Sequence, residues 1–199
     1  MSDEITLRER KKQTTREALR LAALRLAVER GWEQVRVEDI AAEAGVSTRT
    51  FSNYFATKDE ALLATAHHRA ARVKAALLAR PPREPLWDAV ISAVIEGFTG
   101  DDLRQLANVR PTPALATEQL KVFPVVERVL AEGIAQRIGA DAEQDIFPHL
   151  VAGLVVTTVR IAAEHQERSG FDGPALPMLR RALEQVAAGL RPAADGDQR

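Results

Sequence analysis

The chain has 199 residues, of which 46% are hydrophobic and 28% charged, and its formal net charge is −1. These values are typical of a globular protein of one or two domains, and they exclude a disordered chain and a wholly basic nucleic-acid binder. Cysteine is absent, which excludes a disulfide scaffold, a cysteine-ligated metal and a thiol nucleophile.

The N-terminus is charged rather than apolar, so the sequence predicts no signal peptide. The longest uncharged apolar stretch, residues 150–159, ends at Arg160 and is shorter than the roughly 18–20 residues that a membrane-spanning helix needs. We therefore expect a cytoplasmic protein without a membrane partner.

The N-terminal part of the sequence predicts four helices in succession. The first spans 6–30 and ends at Gly31; a short pair at 37–44 and 47–54 flanks a turn at Gly45. A fourth begins at 57 and ends at 79, before the proline-rich run at 81–85, because proline lacks an amide donor and bars the preceding residue from helix. We expect a three-helix, N-terminal helix-turn-helix domain over residues 1–56.

The remainder, 57–199, predicts a larger helical domain that includes the fourth helix. Its further helices are expected at 86–98, 102–109, 114–138, 141–167 and 176–190. Pro124 should kink or split the third of these, and Asp141 with Gln144 resembles a capping box that opens the fourth. The predicted fold is all-α, with about nine helices: a helix-turn-helix head and a C-terminal helical bundle.

The helix-turn-helix segment combines an apolar core pattern with a polar face. The expected core positions are Val37, Ile40, Ala41, Ala44, Val46 and Phe51, with Phe55 also internal. The expected polar face consists of Thr48, Arg49, Thr50, Ser52, Asn53 and Tyr54. A second helix with this polar face is typical of one that enters the DNA major groove.

Individual residues of the second short helix have distinct expected roles. Ser47 should be its N-cap. Arg49, Asn53 and Thr48 have the chemistry to read guanine, adenine, and a polar edge or thymine methyl, respectively. Positions 49 and 53 share one face, whereas 48 and 52 share a neighbouring one.

Two basic features precede this helix in the chain. Residues 8–25 carry an excess of five positive charges, supplied by Arg8, Arg10, Lys11, Lys12, Arg16, Arg20 and Arg25 against two glutamates. This excess indicates a DNA footprint or a solvated helix face, and its first four cations could enter the minor groove or track phosphates. Arg36 stands where a capping side chain is preferred, so it should either extend into solvent or contact a phosphate.

In the C-terminal domain, Arg160 lies in a helix that is apolar nearly all round, and we expect it to be buried with a partner. It could anchor an anionic ligand, pair with Glu164 or form a salt bridge at a dimer interface. A ligand pocket lined by further residues is an alternative to plain core packing: Trp87, Phe98, Asn108, Arg110, Phe123 and Thr157.

Motifs of metal, cofactor and enzyme sites are missing from the sequence. It has no HExxH, zinc-finger spacing, acidic calcium loop, GxGxxG, P-loop or GxSxG, so we predict no metal, no cofactor and no enzyme activity. The alternatives to a DNA-binding regulator are a helical dimeric sensor that does not read DNA and an enzyme built on a helical bundle.

Residues 16–63 resemble the TetR family of bacterial transcriptional repressors. The matching positions are Arg16, Ala22, Ala23, Gly31, Trp32, Val37, Ile40, Ala41, Ala44, Gly45, Val46, Ser47, Thr50, Phe51, Tyr54, Phe55 and Lys58. The resemblance implies a homodimer whose last two long helices form the interface, with a small-molecule inducer in the C-terminal domain. It also implies that Thr50, Tyr54 and Lys58 contact phosphates of palindromic operator DNA, and that the inducer releases a repressor from it.

The sequence departs from the TetR pattern at Arg36 and at Ala27, where the family commonly has phenylalanine; Trp32 is expected to fill that space. The C-terminal domain is similar to the acyl-CoA-responsive branch of the family, which includes the mycofactocin-system regulator. The matching segments are 90–98, 130–145 and 148–162. This similarity implies an acyl-CoA or a fatty-acid-like ligand.

Overall fold

The structure is a computed structural model that describes residues 7–98, 113–169 and 175–189. Over these ranges the chain forms eight α-helices and one short 3-10 helix, and it contains no strand. The helices are α1 (Leu7–Arg30), α2 (Val37–Glu43), α3 (Thr48–Ser52), α4 (Lys58–Ala79), α5 (Leu86–Gly97), α6 (Pro113–Ile138), α7 (Ile146–Ser169) and α8 (Ala175–Ala187), with the 3-10 helix Trp32–Gln34 between α1 and α2.

The predicted all-α fold is confirmed, and most predicted boundaries agree with the structure to within two residues. The helix expected at 102–109 lies outside the described residues. Within them the chain divides into two compact units. One comprises the residues up to His68 and the stretch that ends at Val122, and the other comprises Arg69 to Phe98 and the residues from Phe123 onward. The predicted domain boundary at 56/57 stays a prediction.

The first unit is built around one apolar cluster, in which α1 packs on α2 and α2 packs on α3. Phe51 and Phe55 are almost fully buried, with their ring centroids 5.8 Å apart, so their prediction as core residues is confirmed. Ala27 and Trp32 are buried in this cluster, as expected if the indole compensates for the small side chain in α1.

Pro124 lies inside α6, which runs without a break from Pro113 to Ile138. Pro124 therefore does not split the helix, and the alternative expectation of a kink stays a prediction. Proline removes one intrahelical hydrogen bond, but a long helix whose other residues pack against a core can continue past it. Leu130, Ala131 and Ile134, all C-terminal to the proline, belong to the buried core of the second unit.

The start of α7 also differs from the prediction, because Asp141 opens a turn rather than a helix. Its carboxylate accepts the Glu143 amide at 2.8 Å, and its backbone carbonyl accepts the Asp145 amide at 2.8 Å. The helix begins only at Ile146. A start at 141 would place Pro148 in the helix interior, whereas the observed start places it in the first turn, where its missing donor loses no hydrogen bond.

The core of the second unit joins α4, α5, α6, α7 and α8, and α8 packs against both α5 and α7. Gly97, at the end of α5, faces Val73 of α4 at very short range. Arg72 of α4 donates a hydrogen bond to the Gly97 carbonyl at 2.6 Å. The contact between α4 and α5 is therefore close at this point.

Candidate nucleic-acid interface

Helix α3 begins at a side-chain cap. The Ser47 hydroxyl oxygen accepts the Thr50 amide at 3.1 Å, and it lies 2.9 Å from the Thr50 hydroxyl. Ser47 has an extended backbone, as an N-cap requires. Its predicted capping role is confirmed. A hydrogen bond between the Ser47 and Thr50 hydroxyls also fixes the two side chains at the start of the helix.

The polar face predicted for α3 is solvent-accessible. Thr48, Arg49, Ser52 and Asn53 are exposed, while Thr50 and Tyr54 are half-buried. Among the described residues, no hydrogen bond or ion pair engages the Arg49 guanidinium, whereas the Ser52 hydroxyl donates to the Thr48 carbonyl at 3.1 Å. Arg49 is thus available for an external partner.

Helix α3 is shorter than predicted, since it ends at Ser52 instead of Tyr54. Asn53 keeps right-handed helical backbone angles as the C-cap, and the Tyr54 and Phe55 amides both donate to the Phe51 carbonyl. Because the backbone turns in the helical sense through 53, Arg49 and Asn53 remain one turn apart on the same face.

Helix α2 begins without the cap that a serine or threonine would supply. Arg36 is exposed. Its guanidinium has only donors, so it cannot accept a hydrogen bond from a backbone amide at the start of the helix. The carboxylate of Asp39 instead accepts the Arg36 amide at 2.9 Å, which is the reciprocal half of a capping box. The acidic residue three positions after Arg36 was the sequence signal for this arrangement.

Lys58, expected from the resemblance to contact a phosphate, binds within its own head. Its ammonium donates to the Trp32 carbonyl at 2.9 Å and to the Val35 carbonyl at 2.8 Å. It also lies 4.9 Å from the centroid of the Trp32 ring. The structure does not test the phosphate contact. Two of the three N–H donors of the ammonium bond to backbone carbonyls, and the third is not used by these two bonds.

The basic excess of α1 separates into two groups. Arg20 is buried and bonds to Glu17, Arg25 lies 2.5 Å from Glu43, and Arg16 stacks 4.8 Å over the Phe55 ring. By contrast, Arg10, Lys11 and Lys12 are exposed within α1 itself, so they form a helix surface rather than an extended arm. The Arg8 side chain lies outside what the structure describes.

The described residues among those predicted to line a ligand pocket differ in burial. Phe98 is buried beneath Arg69, whose guanidinium lies 4.7 Å from its ring centroid, and Trp87 and Phe123 are half-buried. Thr157 is exposed on α7. Asn108 and Arg110 lie outside the described residues.

The expected burial of Arg160 is wrong. Its side chain is 45% exposed and lies 2.5 Å from the Glu164 carboxylate one turn later. The error arises because α7 also has apolar residues on its outer face. A residue with apolar neighbours in the sequence can therefore still be exposed to solvent in the monomer. Pairing with Glu164 is the arrangement that the structure contains.

A small, partly open cavity lies in the second unit, between α4, α5, α6 and α7. The described residues that line it are all aliphatic: Val73, Leu77, Val90, Ala93, Val94, Leu130, Ile134 and Val155. None of the described residues predicted for the ligand pocket, which are Trp87, Phe98, Phe123 and Thr157, is among them. Its volume is about 10 Å³, which is room for roughly one water molecule.

The sequence models of two protein families match this chain. Residues 19–65 match the bacterial regulatory proteins of the tetR family, and residues 84–191, more than half of the chain, match the MftR C-terminal domain. The chain belongs to the TetR family. Its members are transcriptional regulators, and the chain is a ligand-responsive, DNA-binding member of this class.

Two named TetR-family relatives extend over nearly the whole chain. The transcriptional regulator TcmR of Streptomyces glaucescens is 33% identical, covering 97% of this chain and 90% of that protein. The putative mycofactocin biosynthesis regulator MftR of Mycobacterium tuberculosis is 27% identical, covering 91% of this chain and 93% of that protein.

Solved structures of TetR-family regulators share the fold. A regulator from Syntrophomonas wolfei superposes with a TM-score of 0.64 at 18% identity, over 92% of this chain and all of that chain. FadR of Thermus thermophilus, solved in complex with lauroyl-CoA, has a TM-score of 0.54 at 23% identity, over 91% of this chain and all of that chain.

Two further features of this TetR-family chain bear on other kinds of site. Within the described ranges, no group of three or more histidine, aspartate or glutamate residues is placed to hold a metal ion. One described helix segment, Ile146–Gln166 of α7, is long and apolar enough to cross a membrane, with a mean hydropathy of 1.7, and 39% of its most apolar part is buried.

Proposed function

We propose that the protein is a repressor that binds palindromic operator DNA as a homodimer and is released by a small-molecule inducer. The observation that carries the proposal is the capped helix α3, which exposes Arg49 and Asn53 one turn apart. An exposed arginine and asparagine on one helix face suit bidentate recognition of guanine and adenine. The proposal includes a cytoplasmic location, where the DNA is.

Each residue of the proposed interface has a role that follows from its position. Arg49, Asn53 and Thr48 read base edges, with Ser52 beside Thr48. Thr50, Tyr54, Lys58 and Arg36 contact phosphates and so set the orientation of the head without carrying sequence information. The exposed cations of α1, which are Arg10, Lys11 and Lys12, add sequence-independent attraction.

The proposed dimer uses the outer face of α7, together with α8. Large apolar side chains recur along α7 at helical spacing and are 41–70% exposed: Ile146, Phe147, Leu150, Leu154 and Ile161. A contiguous apolar surface of this kind is typical of a protein interface. A second copy of the chain suits it best, because a two-fold axis places equal faces together and presents two recognition helices to a palindrome.

Dimerisation also accounts for the apolar length of α7 better than a membrane does. In the segment Ile146–Gln166, Ala152, Val155 and Ala162 pack into the core of the second unit. A lipid-embedded helix would have to give up this packing. The exposed remainder is a stripe, as expected of a helix with a core on one side and a partner on the other.

The proposed inducer is an acyl-CoA or a related fatty-acyl compound. Support comes from the match to the MftR C-terminal domain and from the fold shared with a FadR that was solved with lauroyl-CoA. An aliphatic cavity is suited to a hydrocarbon chain, but its volume of about 10 Å³ is too small to hold one. Acyl binding would therefore have to separate the surrounding helices, which selects an open conformation over the one described.

The DNA proposal is tested by fluorescence anisotropy on a duplex that the wild-type protein has selected from a random-sequence pool. We expect salt-dependent binding, and Arg49→Ala should weaken it by about 1–3 kcal/mol, as for a lost base contact. Arg83→Ala, an exposed arginine in the 81–85 turn, is the matched control and should bind normally. Selection of no duplex, or an unchanged affinity in Arg49→Ala, would contradict the proposal.

The inducer proposal needs a separate measurement. Lauroyl-CoA at a hundred times its Kd should stabilise the folded state by about 2.7 kcal/mol and should dissociate the selected duplex. Coenzyme A without an acyl chain and free lauric acid are the controls that identify the required part. If none of the three raises the melting temperature, the acyl-CoA assignment fails while DNA binding stands.

A further inference from the structure

Arg69 of α4 is a charged side chain that is buried in the second unit. Only 6% of it is exposed, and its guanidinium lies 4.7 Å from the centroid of the Phe98 ring, within the range of a cation–π interaction. A buried charge is costly unless hydrogen bonds and opposite charge compensate it. Arginine is also the cation best suited to bind an anion away from water. Arg69 is therefore a candidate anchor for an anionic group.

Arg72 brings a second guanidinium to the same region. It follows Arg69 by three residues, so the two side chains share one face of α4, and it donates a hydrogen bond to the Gly97 carbonyl at 2.6 Å. Gly97 is the last residue of α5, and Phe98 is its C-cap. Both arginines thus reach the same end of a neighbouring helix. We call Arg69 and Arg72, with the Phe98 ring, the arginine site.

The arginine site has the donors that an anionic oxygen group requires. A guanidinium carries five N–H donors in a planar fork, so an arginine that already bonds to protein groups still has donors for a ligand. The fork matches the oxygens of a carboxylate or a phosphate. In surroundings of low dielectric constant such hydrogen bonds are stronger than in water.

The arginine site lies next to the aliphatic cavity. On α4, Val73 of the cavity lining follows Arg69 by one helical turn, and on α5, Val94 precedes Phe98 by one turn. The Val73 side chain also faces Gly97 at very short range, so one residue contacts the end of α5 and lines the cavity. A hydrocarbon chain in this cavity would have its polar end at the arginine site.

We propose that Arg69, supported by Arg72, binds the anionic end of an aliphatic ligand whose hydrocarbon chain enters the cavity. This inference rests on the proposed inducer and deepens it, because it assigns the residues that hold the charged end. The cavity volume of about 10 Å³ means that the ligand selects the opened conformation already proposed. Arg160, considered from the sequence as an anion anchor, is 45% exposed and pairs with Glu164.

The ligand class is an alkyl chain that ends in a carboxylate or a phosphate. A fatty acid supplies the first group and coenzyme A supplies the second. Three probes with the same alkyl chain separate the contribution of the charge from that of the chain: laurate, dodecyl phosphate and neutral dodecanol. Calorimetric titration below the concentration of micelle formation measures their affinities, and we expect the wild type to bind the two anions more tightly than the alcohol.

Arg69→Met keeps the aliphatic stem but removes the charge and the donors. We expect it to weaken the binding of laurate and dodecyl phosphate by at least about tenfold, or about 1.4 kcal/mol, and to leave the affinity for dodecanol unchanged. Arg69→Lys keeps a charge without the planar fork and should have intermediate affinity for the anions. Arg128→Met, at an exposed arginine of α6, is the matched control and should bind all three probes normally.

A purely structural role of Arg69 predicts a different result. Loss of a residue that only holds α5 against α4 would distort the cavity and would weaken dodecanol and laurate by the same factor. Melting curves from circular dichroism show whether each variant is folded. If Arg69→Met does not fold, Arg69→Lys and Arg72→Met provide the same comparison, and both should lose more affinity for the anions than for the alcohol.

Lauroyl-CoA distinguishes the two sources of the anion. If the phosphates of coenzyme A reach the arginine site, Arg69→Met weakens lauroyl-CoA binding as it weakens that of laurate. If only the carboxylate of a fatty acid reaches it, Arg69→Met leaves lauroyl-CoA binding unchanged.

Three results would overturn the inference: wild-type protein that binds none of the anionic probes, unchanged affinity for all of them in Arg69→Met, or an equal loss of affinity for dodecanol. Wild-type protein that binds laurate but not lauroyl-CoA would instead defeat the acyl-CoA assignment and leave the arginine site intact. Failure to select any duplex would defeat the proposed repressor function, and because the titrations need no DNA they would still test the arginine site.

Discussion

Gly97 of α5 lies so close to Val73 of α4 that there is no room for a side chain between them. A Cβ atom on Gly97 would come within 3.2 Å of the Val73 Cα and closer still to the Val73 Cγ2. Val73 also lines the aliphatic cavity, together with Val90, Ala93 and Val94 of α5. The approach of α4 to α5 therefore depends on the absence of this one side chain.

We predict that Gly97→Ala lowers the free energy of unfolding by about 1–3 kcal/mol, because an added methyl in a packed core forces neighbouring atoms apart. Urea unfolding measures the loss. Gly153→Ala in α7 is the control, since its Cβ would meet no atom closer than 3.9 Å. Alanine there should be neutral or stabilising by up to roughly 1 kcal/mol, as in other helices. An equal loss in both variants would refute the steric explanation.

The cap of α3 predicts a specific cost for Ser47→Ala. Loss of the hydroxyl removes the acceptor of the Thr50 amide and should destabilise the protein by about 1 kcal/mol. Ser47→Asp keeps an acceptor at the same position and should retain most of the stability. Chemical denaturation of the three proteins distinguishes these outcomes, and equal stability of the alanine and aspartate variants would contradict the capping role.

Arg137 of α6 binds the end of α4 and the turn that follows it. Its guanidinium donates to the carbonyls of Leu77, Arg80, Pro81 and Glu84, at 2.7–3.2 Å. Arg137→Met retains the aliphatic stem but removes these donors, and it should lower the free energy of unfolding by about 1.5–3 kcal/mol. Arg128→Met, an exposed arginine on the same helix, should change it little. A similar small effect in both would show that the four contacts contribute nothing.

The features that the sequence predicted correctly depend on neighbours in the chain. Ser47 as a cap, and Phe51 and Phe55 as core, follow from residues within one or two turns. The burial of Arg160 was misjudged because both faces of α7 are apolar and only packing decides which one is inside. Lys58 binds carbonyls 26 and 23 residues away. A contact of that length depends on the folded path of the chain, which no local pattern specifies.

The outer face of α7 predicts how the dimer can be disrupted. Leu154→Glu places a charge at the centre of the proposed interface, and it should give a monomer in sedimentation velocity and a loss of binding to the selected duplex. Burial of a leucine contributes about 1.5–3 kcal/mol, and a charge in its place carries a desolvation penalty. Leu78→Glu, at an exposed leucine of α4, is the control and should remain dimeric. A dimeric Leu154→Glu variant would place the interface elsewhere.

Glu84 gives the protein a defined response to acid. Two hydrogen bonds from the Arg80 guanidinium, at 2.6 and 2.7 Å, lower the pKa of Glu84 below its usual value of 4.5, and the charges of Arg80 and Arg137 add to the effect. The unfolded chain then binds a proton at higher pH than the folded one. The stabilisation by Glu84 is therefore complete above pH 4.5 and is lost as the pH falls through the lowered pKa.

The corresponding variants should flatten this acid response. Glu84→Gln has no carboxyl to protonate, so its free energy of unfolding should fall less steeply below pH 4.5 than that of the wild type. Arg80→Gln should flatten the same limb, because Arg80 is the main cause of the shift. The double variant should then resemble either single one. Additive effects in urea unfolding across this pH range would mean that the two residues respond to acid independently of their pairing.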